Sequence, residues 1–232
     1  MKRSYEKEMM DLPGQPRELL EDDLRNLRMI NRRLGNYHSV VRGLNAWVGS
    51  QKIDRFSLLD VGTGSGDIPA VIARWARRKG IAAAISALEP EPVTVAQAAF
   101  QTRAFAEITV VRGDGMAPPF RAASFDVVLA SQLLHHFSEE NIVLLLRTWS
   151  KVARRAIIVS DLVRHPLAYY GIHLLTKLFT RNAMTRTDAP LSVARAFTLA
   201  EWRALLRQAD VGPFKIFSAF PFRVMALIFP RG

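Results

Sequence analysis

The stretch LLDVGTGSGDIP, residues 58–69, decides the fold class of this chain. An apolar run that contains one acid, Asp60, leads into three glycines on alternate positions, Gly62, Gly64 and Gly66. Glycines in this place are typical of a turn that joins a buried strand to a helix and lets a nucleotide approach the backbone. We therefore expect a first strand, a binding loop and a helix here.

The spacing of the glycines separates two kinds of nucleotide site. A dinucleotide site needs G-x-G-x-x-G, so that a pyrophosphate rests on the helix N-terminus. In this chain the third glycine comes one residue early, and Asp67 stands where that motif has its last glycine. Asp60 and Asp67 favour a ligand with positive charge, although Asp60 could instead cap the following helix and Asp67 could be a simple helix N-terminal charge.

Strand and helix signals alternate from residue 57 onward. The predicted strands are 57–61, 83–88, 108–112, 125–131, 156–160, 214–220 and 223–229, and the helices between them are 68–78, 93–104, 139–152 and 199–208. Apolar strands without polar alternation, separated by helices, indicate a parallel sheet buried on both faces. We predict an α/β fold with a doubly wound, seven-stranded, mostly parallel sheet whose ligands lie beyond the carboxyl ends of the strands.

Two regions fall outside this alternation. Residues 17–48 repeat apolar residues at three- and four-residue steps with a break at Gly35 and Asn36, which predicts two helices. Residues 162–197 interrupt the rhythm after the fifth strand, before a helix that opens on the capping box Thr198-x-x-Glu201. We predict an N-terminal helical cap over residues 1–50, and a main domain over 51–232 in which 162–197 forms a lid over the substrate.

Charge and composition narrow the class of protein. The net charge of the 232-residue chain is +11, and residues 151–232 supply +9 of it, with 13 Lys/Arg against 4 Asp/Glu. This surplus could attract a phosphate backbone, an anionic membrane or an acidic substrate, or could only solvate the surface. There is no cysteine, which excludes disulfides and thiol catalysis. We expect a cytoplasmic protein that can lie at a membrane surface.

Several motifs in order make the chain resemble the class I S-adenosylmethionine-dependent methyltransferases over residues 57–161. LLDVGTGSGD resembles the family's first motif, in which the glycines approach the methionine part of the cofactor. Glu89, in ALEPEP, is similar to the acid that receives both ribose hydroxyls, and two carboxylate oxygens suit two such donors. Asp114, in VVRGDGMAPPF, resembles the acid beside the adenine amino group, and SFDVVLASQLLHHF resembles the fourth-strand segment that carries Ser131.

The resemblance implies a Rossmann-like methyltransferase fold that binds S-adenosyl-L-methionine and releases S-adenosyl-L-homocysteine. Without it, Glu89 could be a surface acid, and Asp114 could only stabilise a turn. The cofactor site that it implies consists of Asp60, Gly62, Thr63, Gly64, Gly66, Glu89, Pro90, Asp114, Gly115, Met116 and Ser131.

Candidate catalytic bases come from the histidines and tyrosines outside the cofactor motifs. A base is needed only where the acceptor loses a proton, as a phenol or enol does. In LLHHF the chain is similar to the methyltransferases of ubiquinone and menaquinone biosynthesis, with His136 on the shared position and His135 beside it. Tyr169 and His173, in the predicted lid, are rival bases. Each of the four could instead be a structural residue.

We predict methyl transfer to oxygen or carbon of a small lipophilic or aromatic acceptor, such as a phenol, quinol or polyketide. The lid is expected to contact an anionic membrane, and we expect neither a metal nor a nucleic-acid partner. Three alternatives stay open: a nucleic-acid methyltransferase that uses the basic C-terminal third, a cofactor-binding protein without catalysis, and an NAD-linked oxidoreductase.

Overall fold

The computed structural model describes residues 1–49 and 52–231. Seven strands in this part of the chain form one sheet: β1 (Arg55–Val61), β2 (Ala82–Glu89), β3 (Ile108–Arg112), β4 (Phe125–Ser131), β5 (Ala153–Leu162), β6 (Phe214–Ala219) and β7 (Arg223–Ile228). The strand order is β3-β2-β1-β4-β5-β7-β6. Strands β1 to β5 pair in parallel, and β7 is antiparallel to both β5 and β6. The predicted seven-stranded, mostly parallel sheet is confirmed.

Helices connect the strands and cover both faces of the sheet. They are α1 (Arg17–Arg33), α2 (Asn36–Val48), α3 (Asp67–Lys79), α4 (Pro92–Thr102), α5 (Glu139–Val152), α6 (Pro166–Phe179), α7 (Ala183–Arg195) and α8 (Leu199–Ala209). The predicted capping box at the start of α8 is present, because Thr198 and Glu201 exchange side-chain and backbone hydrogen bonds. No helix in the described part of the chain combines the length and apolarity that crossing a bilayer requires.

Two apolar clusters hold the helices against opposite faces of the sheet. One contains Trp149 of α5 and Trp202 of α8, and the other contains Trp47 of α2 and Trp75 of α3. All four indole side chains are buried, as a doubly wound fold requires.

The two N-terminal helices have different surroundings. Helix α2 belongs to the layer on the sheet, with Val40 and Leu44 fully buried against β5 and β7. Helix α1 packs instead on α7, outside the layer that covers the sheet, in the position expected for a cap. The predicted boundary between residues 50 and 51 lies outside the described residues.

The predicted lid consists of α6 and α7, which pack on each other. Strand β5, which precedes them, begins at Ala153, three residues earlier than its apolar run indicates. The first residues of β5 include the exposed Arg154 and Arg155, which pair with Asp126 near the start of β4 and therefore do not extend the apolar pattern.

The first sixteen residues, called here the N-terminal segment, pack across α7 and the turn after β4. Arg3 donates to the backbone carbonyls of Phe137 and Arg195 at 2.7 Å. The carboxylate of Asp188, on α7, accepts from the backbone N–H groups of Met9 and Met10. The segment is therefore fixed by half-buried hydrogen bonds, although its sequence predicts no regular element.

Candidate active site

The glycine loop between β1 and α3 has the backbone geometry that its sequence predicts. Gly62, Gly64 and Gly66 have φ angles of +67°, +56° and +77°, a region that side chains disfavour. The N–H groups of Gly62 and Thr63 donate to the carbonyl of Leu88, which ties the loop to β2. A Cβ built on Gly64 would meet nothing within 4 Å, so the loop is open there to a ligand.

Three carboxylates lie around this loop, those of Asp60, Asp67 and Glu89. Asp60, at the end of β1, is buried and accepts a hydrogen bond from the Thr63 hydroxyl at 2.6 Å. Burial, together with the charges of Asp67 and Glu89, raises the pKa of Asp60 to about 7 against the lowering effect of that hydrogen bond. Within residues 1–49 and 52–231, no salt bridge involves any of the three. The loop is therefore an electronegative site that fits a cationic ligand.

Glu89 lies at the end of β2 and points into the glycine loop. Its carboxylate accepts from the backbone N–H groups of Gly64 at 3.0 Å and Glu91 at 3.3 Å. Burial raises the pKa of Glu89, and these two hydrogen bonds oppose that effect. Pro90, the next predicted cofactor residue, is exposed beside it.

The residues after β3 form the outer rim of the same region. Asp114 is exposed, and its Oδ1 accepts from the N–H of Met116 at 2.8 Å in a local turn. Gly115 packs so closely on the end of β1 that an added Cβ would lie 2.6 Å from Val61 Cγ1. The predicted cofactor residues of β1, β2 and β3 therefore meet at one edge of the sheet, with Asp60 and Glu89 buried and Asp114 at the surface.

The end of β4 is tied to the two N-terminal helices. The Ser131 hydroxyl is buried and accepts from the side-chain amide of Asn36 at 3.0 Å. Gln132, which follows, has φ +52°, an uncommon value for a residue with a side chain. Asn31 of α1 donates to Asp67 at 3.1 Å and accepts from the Gln132 amide. Asn31 and Gln132 were not among the predicted site residues, although Gln132 lies within the quoted motif SFDVVLASQLLHHF.

The adjacent histidines are held by carboxylates. His135 Nδ1 lies 2.7 Å from Asp161 Oδ1, and His136 Nδ1 lies 2.9 Å from Asp11 Oδ2. Their Nε2 atoms face the carboxylate of Glu8, at 3.7 Å and 3.8 Å. No pattern in the sequence predicts that Glu8 and Asp11 contact this turn, because both belong to the N-terminal segment.

The rival bases lie on α6. The rings of Tyr169 and His173 are stacked, with 6.4 Å between centroids, one helical turn apart. Tyr169 also packs on the apolar cluster of Ile172, Ala189 and Val193. Helix α6 therefore presents these two candidates from a different element than the turn that carries His135 and His136.

An apolar cavity of about 240 Å³ lies between α1, α6 and α7 at the ends of β4 and β5. Its polar side chains are Gln132, Ser192 and Arg223. Its apolar lining consists of Leu27, Ile30, Leu34, Leu162, Leu167, Ala168, Gly171, Ile172, Leu175, Ala189, Val193, Pro221 and Phe222. Since Gln132 directly follows β4, the cavity adjoins the edge of the sheet that carries the glycine loop.

Comparison with known proteins agrees with this geometry. Residues 58–156 match the family described as "Methyltransferase domain". A S-adenosylmethionine-dependent methyltransferase from Aquifex aeolicus has a similar structure, with TM-score 0.66 and 12% identity over 94% of this chain and 100% of that one. Human N-acetylserotonin methyltransferase in complex with S-adenosylmethionine gives TM-score 0.65 and 18% identity over 99% of this chain and 63% of that one.

A third similar structure is magnesium protoporphyrin IX methyltransferase from Synechocystis with bound S-adenosylhomocysteine. It gives TM-score 0.58 and 16% identity over 87% of each chain. Among curated protein sequences, none matches this chain.

The family match, the fold and the glycine loop agree on one class of protein, the methyltransferases. Residues 58–156 of this chain are a methyltransferase domain. The chain has the Rossmann-like fold of structures that are S-adenosylmethionine-dependent methyltransferases, as its motifs predicted. One of the structures with this fold, the human enzyme, holds S-adenosylmethionine. The open, electronegative loop at Gly64 fits the ammonium and sulfonium charges of that molecule.

Proposed function

We propose that this protein methylates a small lipophilic or aromatic acceptor that binds in the apolar cavity between α1, α6 and α7. The observation that carries the proposal is that cavity, whose walls are apolar except at Gln132, Ser192 and Arg223. Its volume of about 240 Å³ lies just below the roughly 300–1,000 Å³ of ordinary ligand pockets, so we expect a single ring system or the ring end of a longer molecule.

The position of the cavity suits a transfer between neighbouring sites. In doubly wound sheets, ligands bind beyond the carboxyl ends of the strands where the strand order reverses, which here lies between β1 and β4. The glycine loop follows β1, and Gln132 on the cavity wall follows β4. S-adenosylmethionine supplies an activated methyl group; the acceptor's oxygen or carbon bonds to that methyl as its bond to sulfur breaks, and S-adenosylhomocysteine leaves.

The protein's own contribution is to align the acceptor and to exclude water. Apolar side chains from three helices do both at the cavity. Where the acceptor is a phenol, His136 stays the proposed base, oriented by Asp11 at 2.9 Å. His135, Tyr169 and His173 stay rival candidates, and none of the four lines the cavity itself.

Two of the similar structures support an aromatic acceptor by their names, N-acetylserotonin methyltransferase and magnesium protoporphyrin IX methyltransferase. The resemblance to the quinone-biosynthesis enzymes at LLHHF points to the same chemical class. The test is transfer of labelled methyl from S-adenosylmethionine to a panel of phenols, quinols and polyketides, with RNA as a comparison substrate. Labelling of RNA alone would contradict the proposal.

We further propose that α6 places the cavity against an anionic membrane surface. Leu167, Tyr170, Leu174 and Leu178 recur at helical spacing and are 59–69% exposed, and Phe179 at the helix end is 71% exposed. Such a face is larger than scattered surface residues explain. Lys177, Arg181 and Arg186 lie at its end and are exposed, which fits a negatively charged surface.

Vesicle flotation tests the membrane proposal. The protein should float with vesicles that contain anionic lipid at low salt and stay behind with neutral vesicles. Leu174→Glu together with Leu178→Glu should abolish flotation. The matched control is Leu144→Glu, because Leu144 is a leucine of α5 that is 52% exposed on another face. Equal loss in both variants, or no flotation of the wild type, would contradict the proposal.

A further inference from the structure

Three side chains from distant parts of the chain meet beside the turn after β4. They are Glu8 of the N-terminal segment and the adjacent His135 and His136, called here the Glu8–His135–His136 cluster. One oxygen or ring nitrogen of each lies within 4.8 Å of the others. Glu8 and His135 are about 1–2% exposed, and the side chain of His136 is 15% exposed.

Two buried atoms of the cluster have no partner. Glu8 Oε1 and His135 Nε2 make no hydrogen bond in the described part of the chain, although they face each other at 3.7 Å. A buried polar atom without a hydrogen-bond partner destabilises the fold, so two such atoms that face each other need an explanation.

The other ring nitrogens show which atoms are free to bind. Asp161 lies 2.7 Å from Nδ1 of His135, and Asp11 lies 2.9 Å from Nδ1 of His136. An Nδ1–H that donates to a carboxylate leaves the Nε2 lone pair free, and both Nε2 atoms face Glu8. Carboxylates that orient histidines in this way are the usual outer contacts of metal-bound imidazoles.

The distances agree with a shared ion. Zinc lies about 2.0–2.2 Å from nitrogen and oxygen ligands, so two ligands of one ion are at most about 4.2 Å apart. The distances from Glu8 Oε1 to His135 Nε2, 3.7 Å, and from Glu8 Oε2 to His136 Nε2, 3.8 Å, both fall within this limit and are longer than hydrogen bonds. When one Glu8 oxygen serves as the ligand, the three ligand atoms lie within 4.8 Å of one another, so no pair needs to close by more than about 0.6 Å.

The local charge also agrees. The carboxylates of Glu8, Asp11 and Asp161 surround the two imidazoles, and the Arg195 guanidinium lies beside them, with Nε 3.7 Å from Glu8 Oε1. Glu8 Oε2 also lies 2.9 Å from the Ser192 hydroxyl, which fixes the carboxylate.

We propose that the Glu8–His135–His136 cluster binds one divalent transition-metal ion of the zinc type. Two imidazoles and a carboxylate are ligands that zinc takes, with a fourth position left for water or another oxygen. The ion joins the N-terminal segment to the turn after β4. In the metal-loaded protein His136 is a ligand, so the role of His136 as a base proposed above applies only to the metal-free protein.

The proposed ion site lies next to the apolar cavity proposed above for the acceptor. Ser192 contacts Glu8 and also lines the apolar cavity. A cluster that is only hydrogen-bonded, or bridged by water, would hold the segment without binding any ion, and the experiment separates these cases.

Metal content and Co²⁺ absorption test the proposal on the full chain. After chelator treatment and dialysis, we expect the protein to take up one Zn²⁺ per chain, and Co²⁺ to give the strong visible bands of four- or five-coordinate sites. Glu8→Gln and His136→Asn should each weaken binding at least tenfold. His38→Asn is the matched control, because His38 is exposed on α2; it should bind as the wild type does.

A second readout needs no variant. Lys7 is exposed next to Glu8, so trypsin should cut after Lys7 more slowly in the metal-loaded protein, and chelator should restore cutting. The proposal is overturned if the wild type binds no stoichiometric ion, or if binding survives both cluster variants. Neither outcome depends on methyl transfer, so the function proposed above is tested separately.

Discussion

The carboxylate of Glu89 accepts a hydrogen bond from the backbone N–H of Gly64 at 3.0 Å, so the ends of β2 and β1 meet through one side chain. This bond uses the acid predicted to receive the ribose hydroxyls. A carboxylate held at this point can exchange the Gly64 contact for two hydroxyl donors when the cofactor enters. Positioning before binding lowers the entropy lost on binding.

Replacing Glu89 by Ala should weaken binding of S-adenosylhomocysteine by roughly 10- to 150-fold, the equivalent of about 1.5–3 kcal/mol for hydrogen bonds to a charged group. Titration calorimetry measures this directly. The matched control is Glu91→Ala, because Glu91 caps α4 through the N–H of Thr94 and should affect stability more than affinity. Unchanged affinity in Glu89→Ala would remove this residue from the cofactor site.

Asp60 should make the stability of the ligand-free protein depend on pH. Its pKa is raised from 3.8 to about 7 by burial, with Asp67 and Glu89 adding to the effect. The folded state therefore favours the protonated acid, and stability is lost as pH rises from about 4 through 7. Asp60→Asn should gain stability relative to the wild type over this range, as followed by urea unfolding at pH 5 and pH 8. An equal difference at both values would contradict the prediction.

Gly66→Ala should lose both stability and cofactor affinity. The left-handed backbone at φ +77° costs a side chain about 1–2 kcal/mol, and the new Cβ would lie 2.8 Å from Thr102 Cγ2 and 3.3 Å from the backbone of Ala98. Gly80→Ala is the control, since φ is +67° there but the space is open. We expect both variants to unfold at lower urea concentration, and only Gly66→Ala to bind S-adenosylhomocysteine more weakly.

Gly171→Leu should block the acceptor without touching the cofactor. Gly171 lines the apolar cavity on α6, and a Cβ added there meets nothing within 4 Å. The leucine should raise the KM for the acceptor at least tenfold, whereas the affinity for S-adenosylhomocysteine stays unchanged and helix propensity improves. Gly171→Ala should keep the wild-type KM. A wild-type KM in Gly171→Leu would mean that the acceptor binds elsewhere.

The sequence was most informative where the chemistry is local. Strands β3 and β4 and helix α5 begin and end where the apolar pattern and the caps predict. The glycine loop was equally predictable, because glycine is the residue type that adopts positive φ angles most readily.

Contacts between residues far apart in the chain could not be predicted from local sequence patterns. Glu8 meets His135 across more than a hundred residues, and no periodicity in the N-terminal segment marks it as buried. The compact cluster that the sequence did not predict arises only once α7 and the turn after β4 are packed together. Helix α2 was grouped with α1 for a similar reason, since amphipathic spacing identifies an apolar face but not the partner that covers it.

The antiparallel insertion of β7 beside β5 has a consequence for synthesis on the ribosome. The hydrogen-bonding edge of β5 is complete at Leu162, but the strand that covers it starts only at Arg223. At about 5–20 residues per second, that edge waits roughly 3–12 seconds for its neighbour. Nascent chains of this protein therefore pass through a period of exposed β-edge, in which chaperone engagement competes with aggregation.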